Sequence, residues 1–259
     1  MLESTNFTFN GVNSDDKGVV LVNVGNGLFQ DIFLPNRTLI ETTLPYSDTK
    51  ILKRVAKELP SFPLTLFIEQ WRDWNNLRDI ARWLDVDKYC EFWTENDPER
   101  IYYLTVEGDS QLIHNGCKDG YITLNFKPLY PYALSPVYSV EGIATDGNSY
   151  IVNLDNAGDA DIRPYVKIRK IGDGDVRIKN TQNNQELIIR DLYNNEEVDI
   201  DCEKEIIKSS LEEISNRYLF DNHNDVWLDF AHQTFSEFEF IGNFEFEFTY
   251  RLVYKNETV

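Results

Sequence analysis

Glu237-Phe238-Glu239-Phe240-Ile241-Gly242-Asn243-Phe244-Glu245-Phe246-Glu247-Phe248-Thr249-Tyr250 decides the fold class. Every phenylalanine in it lies at an even position, and Leu252 and Tyr254 continue the set. The odd positions carry Glu237, Glu239, Glu245, Glu247, Thr249 and Arg251. A period of two with one apolar face is a β-strand buried on one side. Gly242-Asn243 interrupts the run and reads as a hairpin turn between two such strands.

Upstream the same rhythm continues with shorter strands. Tyr165–Ile171, Val176–Lys179, Leu187–Ile189 and Val198–Ile200 are separated by turn clusters at Asn156-Ala157-Gly158, Gly172-Asp173-Gly174 and Asn194-Asn195, after an earlier turn at Asp146-Gly147-Asn148. Short strands at this spacing predict an antiparallel sandwich. The Lys/Glu-rich segment Glu203–Ile214 is the exception and is expected to be helical. Before this region, Leu129-Tyr130-Pro131-Tyr132-Ala133-Leu134-Ser135-Pro136 is punctuated by proline, which fixes φ and removes a donor. It reads as a linker, which places a domain boundary at about residue 136. The expected domains are therefore 1–136 and 137–259.

The first part mixes strands with helix. Phe7–Gly11 alternates and turns, and Val19–Val22 follows the turn cluster Ser14–Gly18. Ser47 or Asp48 is positioned to cap a helix in which Ile51, Leu52, Val55 and Leu59 repeat at helical spacing, with Pro60 as its stop. Pro63–Glu69 reads as a strand. A second helix is expected from Asn75 or Asn76, burying Leu77, Ile80, Ala81 and Leu84 with Trp83 on its flank. Ile101–Val106 and Gly120–Phe126 are strands. The fold class is thus mainly β (α+β), with one or two helices in the first part.

Composition narrows the function classes. The 259 residues are 42% hydrophobic and 27% charged, as in a folded globular protein, and 14% are aromatic. Aromatics suit both half-buried sheets and interface anchors. The net charge is −19, made of 19 acids and 13 bases up to Tyr132, and 25 acids and 12 bases from Ala133. Such a surface repels a phosphate backbone, so nucleic-acid binding is not expected. No stretch reaches the ~20 apolar residues of a membrane helix. The N-terminus lacks a secretory signal, so synthesis in a host cytoplasm is expected. Cys90, Cys117 and Cys202 are odd in number and far apart, and are read as free thiols.

Motifs for chemistry are weak. His114, His223 and His232 share no metal-ligand spacing. Asp221–Asp225 is oxygen-rich but lacks the glycine and final glutamate of a calcium loop, and reads as a solvated turn. Gly172–Asp175 can hold a cation or simply form a hairpin turn. There is no phosphate loop, dinucleotide fingerprint or nucleophile elbow. The Trp71/Trp74 pair can stack on a sugar, but aromatics beside a helix start more often serve core or interface. No catalytic, cofactor-binding or metal residue is assigned, no cofactor is expected, and the chain is not read as an enzyme.

In its arrangement the chain resembles the distal tail protein family of siphophages. Phe7–Ser14 looks like the family's opening strand and turn. Trp74, then Ile80–Leu84, Tyr89, Phe92, Asp97-Pro98 and Tyr102-Tyr103 look like its central region. Gly120–Phe126 followed by Pro131-Tyr132-Ala133 resembles the strand and turn that close its first domain. Asn156-Ala157-Gly158 with Pro164–Ile168, Val198–Asp201, Gly242-Asn243 and Tyr250-Arg251 match its second domain in order. The resemblance implies an N-terminal ring-forming tail domain and a C-terminal galectin-like β-sandwich. It implies a structural virion protein of the phage tail tip, a hexameric ring joining the tail tube above to the baseplate hub or tail-associated fibre below. Genomic DNA would pass through the ring without specific binding, past acids that repel it. Acids near the Ser14–Lys17 turn and the 95–99 loop are candidates for that lining. No insertion large enough for a separate carbohydrate-binding module is present. The alternatives are a carbohydrate-binding tail protein contacting the host cell wall and, after it, a glycoside hydrolase on a β-sandwich.

Overall fold

The computed structural model describes residues 5–22, 35–44, 46, 48–58, 60–114, 116, 120–211 and 221–255. Residue contacts divide the chain into two compact units, Met1–Leu134 with Tyr254–Val259, and Ser135–Val253.

The first unit contains β1 (Phe7–Phe9), β2 (Val12–Asn13), β3 (Val19–Leu21), β4 (Asn36–Thr43), β5 (Lys50–Glu58), β6 (Phe62–Ile68), helix α1 (Trp74–Leu84), β7 (Cys90–Thr94), β8 (Asp97–His114), β9 (Gly120–Pro128) and β10 (Ala133–Leu134). An antiparallel sheet runs in the order β2-β1-β7-β8-β9-β6-β3. Its inner face is aromatic. Phe7 stacks on Trp83 at 5.7 Å and on Phe92 at 5.3 Å, and Phe9 meets Phe126 edge-on at 5.7 Å. Trp83 also donates its Nε1 proton to the Phe9 carbonyl at 2.8 Å, so its one polar atom is satisfied inside the core.

Helix α1 starts where Asp73 accepts a hydrogen bond from the Asn75 amide, which satisfies an orphan N–H of the first turn. It packs through Ile80, Trp83 and Leu84, with Leu77 half-buried. Ala81, expected in the buried stripe, is exposed. The helix expected from Ser47 or Asp48 is instead strand β5; Ser47 and Leu59 lie outside the described residues. An apolar set at 51, 52 and 55 fits either period, and the preceding strand β4 supplies an antiparallel partner along its whole length. Cross-strand pairing overrides the weak local preference.

The second unit contains β11 (Tyr138–Ala144), β12 (Tyr150–Asn156), β13 (Tyr165–Lys170), β14 (Gly174–Asn180), β15 (Glu186–Leu192), β16 (Glu197–Asp201), β17 (Ile206–Ser209), β18 (Thr234–Gly242) and β19 (Phe244–Tyr250). Two antiparallel sheets form, β11-β19-β13-β16-β17 and β12-β18-β14-β15. Part of the helix expected over Glu203–Ile214 is strand β17, hydrogen-bonded along β16; residues 212–214 lie outside the described residues. The proline-punctuated stretch is ordered at its end. Ser135 is fully buried, and its Oγ accepts the Leu252 amide and donates to the Pro136 carbonyl.

Gly242-Asn243 is not a hairpin turn. Strand β18 belongs to the four-stranded sheet and β19 to the five-stranded one, so the chain arches from one sheet to the other. The parity of the phenylalanines requires this. Across a two-residue turn, even positions of one strand face odd positions of the next, which would put the two aromatic sets on opposite faces. In an arch both even sets point inward and meet. Phe240 stacks on Phe246 with centroids 3.9 Å apart and planes 11° apart, and Phe238 meets Phe248 at 5.2 Å. Lys170, 2% exposed, donates Nζ to the carbonyls of Ile171 and Asn243 at 3.0 Å each and so ties the arch to β13.

The buried groups of this unit set its alkaline behaviour. Burial pushes the Cys202 thiol up to about 12 from 9.0, and burial followed by its hydrogen bond to Asp199 pushes Tyr165 up to about 12. The folded state therefore holds these protons more tightly than the unfolded chain does. Stability is intact below pH ~9 and falls as pH rises through the range to ~12, on the order of 4 kcal/mol for Cys202 by the upper end. Lys170 acts the other way, because burial lowers its value. Urea midpoints should hold from pH 7 to 8.5 and then decline, with a flatter decline in Cys202→Ala. Parallel declines would show that the thiol does not drive the loss.

Candidate assembly surfaces

Strands β4 and β5 form a two-stranded sheet of their own. They pair from Asn36 against Glu58 to Thr43 against Lys50, with one irregularity at Ile40/Glu41. Most of their residues are exposed on both faces. Leu39 is 55% and Leu52 52% exposed, with Ile51 close behind. A lone hairpin is at best marginally stable in water, and apolar residues bare on both its faces mark a surface built to be covered. Lys57 stands over the Tyr132 ring at 5.4 Å, and Lys50 pairs with Glu41 at 3.0 Å. Arg37, Lys53 and Arg54 have no acidic partner within 4.0 Å among the described residues.

The outward face of the five-stranded sheet forms a shallow concavity of about 600 Å³. The register sets charged rows across it. Glu141, Glu247, Lys167, Asp199 and Lys208 make one, and Ile143, Glu245, Arg169 and Glu197 the next. Lys167–Glu247 and Arg169–Glu245 approach to 3.7 Å. Among the described side chains of these rows and the adjoining Ser139-Thr249-Tyr165-Asp201-Ile206 row, Tyr165 is the sole aromatic. The face presents mainly charged side chains, two pairs of them in contact, and a single half-buried tyrosine ring.

The loops singled out for chemistry serve the backbone instead. Asp173 accepts the Asn194 amide and Asp175 the Asp191 amide. Asn222 donates to the Arg190 carbonyl, and Asn224 both accepts from Ile188 N and donates to Glu186 O, so Asp221–Asp225 is stitched along β15. His223 packs on Trp227 at 4.8 Å, and burial lowers its pKa. His232 pairs with Asp161 at 2.6 Å, far along the chain from His114. Among the described residues no group of three or more His, Cys, Asp or Glu side chains is placed to hold a metal ion. Trp71 is stacked on His114 at 4.2 Å, whereas Trp74 stands 77% exposed at the start of α1, so the two do not form one platform. Cys90 and Cys202 are buried free thiols; Cys117 lies outside the described residues. No helix among the described residues is long and apolar enough to cross a membrane.

Comparison with known proteins adds what the surfaces alone do not. Residues 2–128 match the phage tail protein N-terminal domain, and residues 130–250 match the phage tail C-terminal domain. The SPbeta prophage-derived uncharacterized protein YomH of Bacillus subtilis (strain 168) is 31% identical over 227 residues, 87% of this chain and 88% of that protein. The chain belongs to this phage tail protein family. The tail protein also shares its fold with the Dit protein of phage SPP1, described as a paradigm of the hub adsorption apparatus in phages infecting Gram-positive bacteria. That likeness has a TM-score of 0.62 at 14% identity and covers 95% of the tail protein and 98% of SPP1 Dit. It is therefore a structural tail component built on a Dit-like fold, and the hairpin and the sheet faces are its surfaces of interest. The hairpin was the feature that sequence reasoning missed. Its signal was a local excess of base in an acidic chain.

Proposed function

We propose that this tail protein is a distal tail protein of the phage tail tip. It closes a hexameric ring around the DNA channel and joins the tail tube above to the baseplate hub or fibre below. The observation that carries this reading is the whole-length likeness to SPP1 Dit, which covers 95% of this chain and 98% of that one. In this reading the N-terminal domain, expected at residues 1–136, is the ring-forming tail domain, and the C-terminal domain, expected at 137–259, is a galectin-like sandwich. Galectin-like describes shape, since a fold does not bring sugar binding with it. The outer concavity is lined mainly by charged side chains, with Tyr165 as the one aromatic of its rows, and so offers no aromatic platform that would favour the carbohydrate-binding alternative over the scaffold. The role is mechanical: the chain positions other tail proteins and performs no chemistry. The net charge of −19 suits a channel past which DNA slides, because like-charged walls make no phosphate contacts; salt confines that effect to acids within ~8 Å of the DNA.

Ring interfaces are head-to-tail and close by rotation. Mass photometry of the purified chain in low salt is expected to show a species of six 30.3 kDa chains, about 182 kDa. A series of masses with no closed size would point to open polymers and count against the ring.

A further inference from the structure

The charge on the hairpin runs against the rest of the molecule. Residues 36–58 hold five bases, Arg37, Lys50, Lys53, Arg54 and Lys57, against three acids, Glu41, Asp48 and Glu58. That segment is +2 within a chain of −19, so the remaining residues carry −21. Its free cations lie beside bare apolar side chains. Arg37 lies two residues from Leu39 on one strand, and Lys53 and Arg54 follow Ile51 and Leu52 on the other. A hairpin exposed on both faces needs a lasting cover to hold its two strands together. A partner that passes transiently, such as translocating DNA, does not provide one.

We infer that the β4–β5 hairpin is an arm that seats on the acidic surface of a second copy of this chain. Opposite charge steers the approach and sets register, and burial of Leu39, Ile51 and Leu52 holds the contact. An arm reaching from each copy to the next is heterologous by construction, as a ring requires. The contact is predominantly electrostatic at its rim, so it weakens with salt, in contrast to a purely apolar interface. This inference rests on the ring reading and assigns the element that makes the ring.

The test is sedimentation velocity of the full chain and of the Arg37→Glu/Lys53→Glu/Arg54→Glu variant, each at low and high NaCl. The three positions are exposed and unpaired in the monomer, and far-UV circular dichroism confirms that the variant folds. The wild type is expected to assemble at low salt and to weaken at least tenfold in high salt. The variant is expected to assemble at least thirtyfold more weakly than wild type at low salt. As a readout that does not depend on the variant, a photo-crosslinking residue in place of Leu52 is expected to link one chain to another. A wild type that assembles while the variant matches it within twofold overturns the arm and leaves the ring reading standing. Assembly indifferent to salt overturns the electrostatic contact. A wild type that stays monomeric in low salt overturns both readings.

Discussion

Gly242→Val should strip the sandwich of about 3–5 kcal/mol and lower its melting temperature by roughly 10–20 °C. Two separate costs combine at this position. The backbone has φ +126°, a region L side chains rarely adopt, with strain of ~1–3 kcal/mol. A Cβ there would also lie 2.8 Å from the Asp175 carbonyl oxygen, on the neighbouring strand β14. That atom is backbone in a paired strand and cannot swing aside, so the arch itself must shift. Gly147→Ala is the matched control. Its φ is also positive, at +80°, but nothing lies within 4 Å of the added carbon, so it should cost only ~1 kcal/mol. Calorimetry of the two variants separates close approach from chirality. Equal losses would mean that the crossing between sheets tolerates a side chain and that the arch is not tightly set.

Phe240→Ala is expected to cost about 3–5 kcal/mol, since it removes a fully buried ring from between two sheets that cannot collapse onto the gap. Phe240 touches Phe244, Phe246 and Phe248, all beyond the arch and all on the other sheet. Its loss therefore weakens the contact between layers more than the strand it belongs to. A double-mutant cycle with Phe246→Ala should return a coupling of ~0.5–1.5 kcal/mol for the stacked pair. Denaturant unfolding measures both. A single-variant cost below about 1.5 kcal/mol, or no coupling, would show that these rings do not bridge the sheets.

The run Glu237–Tyr250 makes the β class and the buried face legible in the sequence itself, because a two-residue period has one interpretation over so long a stretch. The same run also holds the arch, through the parity of its phenylalanines about Gly242-Asn243, although the dipeptide resembles a common hairpin turn. Helix α1 is legible because Leu77, Ile80 and Leu84 form a stripe at helical spacing with Trp83 beside it, whereas its cap, Asp73, emerges only from the structure. Strand β5 is not, because Ile51, Leu52 and Val55 fit two periods and only pairing with the preceding strand, Asn36–Thr43, decides between them. Strand β17 is hidden for a related reason. Lys204, Glu205 and Lys208 suit a helix, but Ile206 to Ser209 are held by hydrogen bonds to β16. The buried amine of Lys170 and its two carbonyl partners have no sequence signal, since a lysine at a strand end is ordinarily solvated.

Electron microscopy of the low-salt assembly in negative stain tests the central claim most directly. Class averages should show closed rings with six repeats and an axial hole. Compact particles without a hole, or open filaments of varying length, would contradict a ring that surrounds the DNA channel.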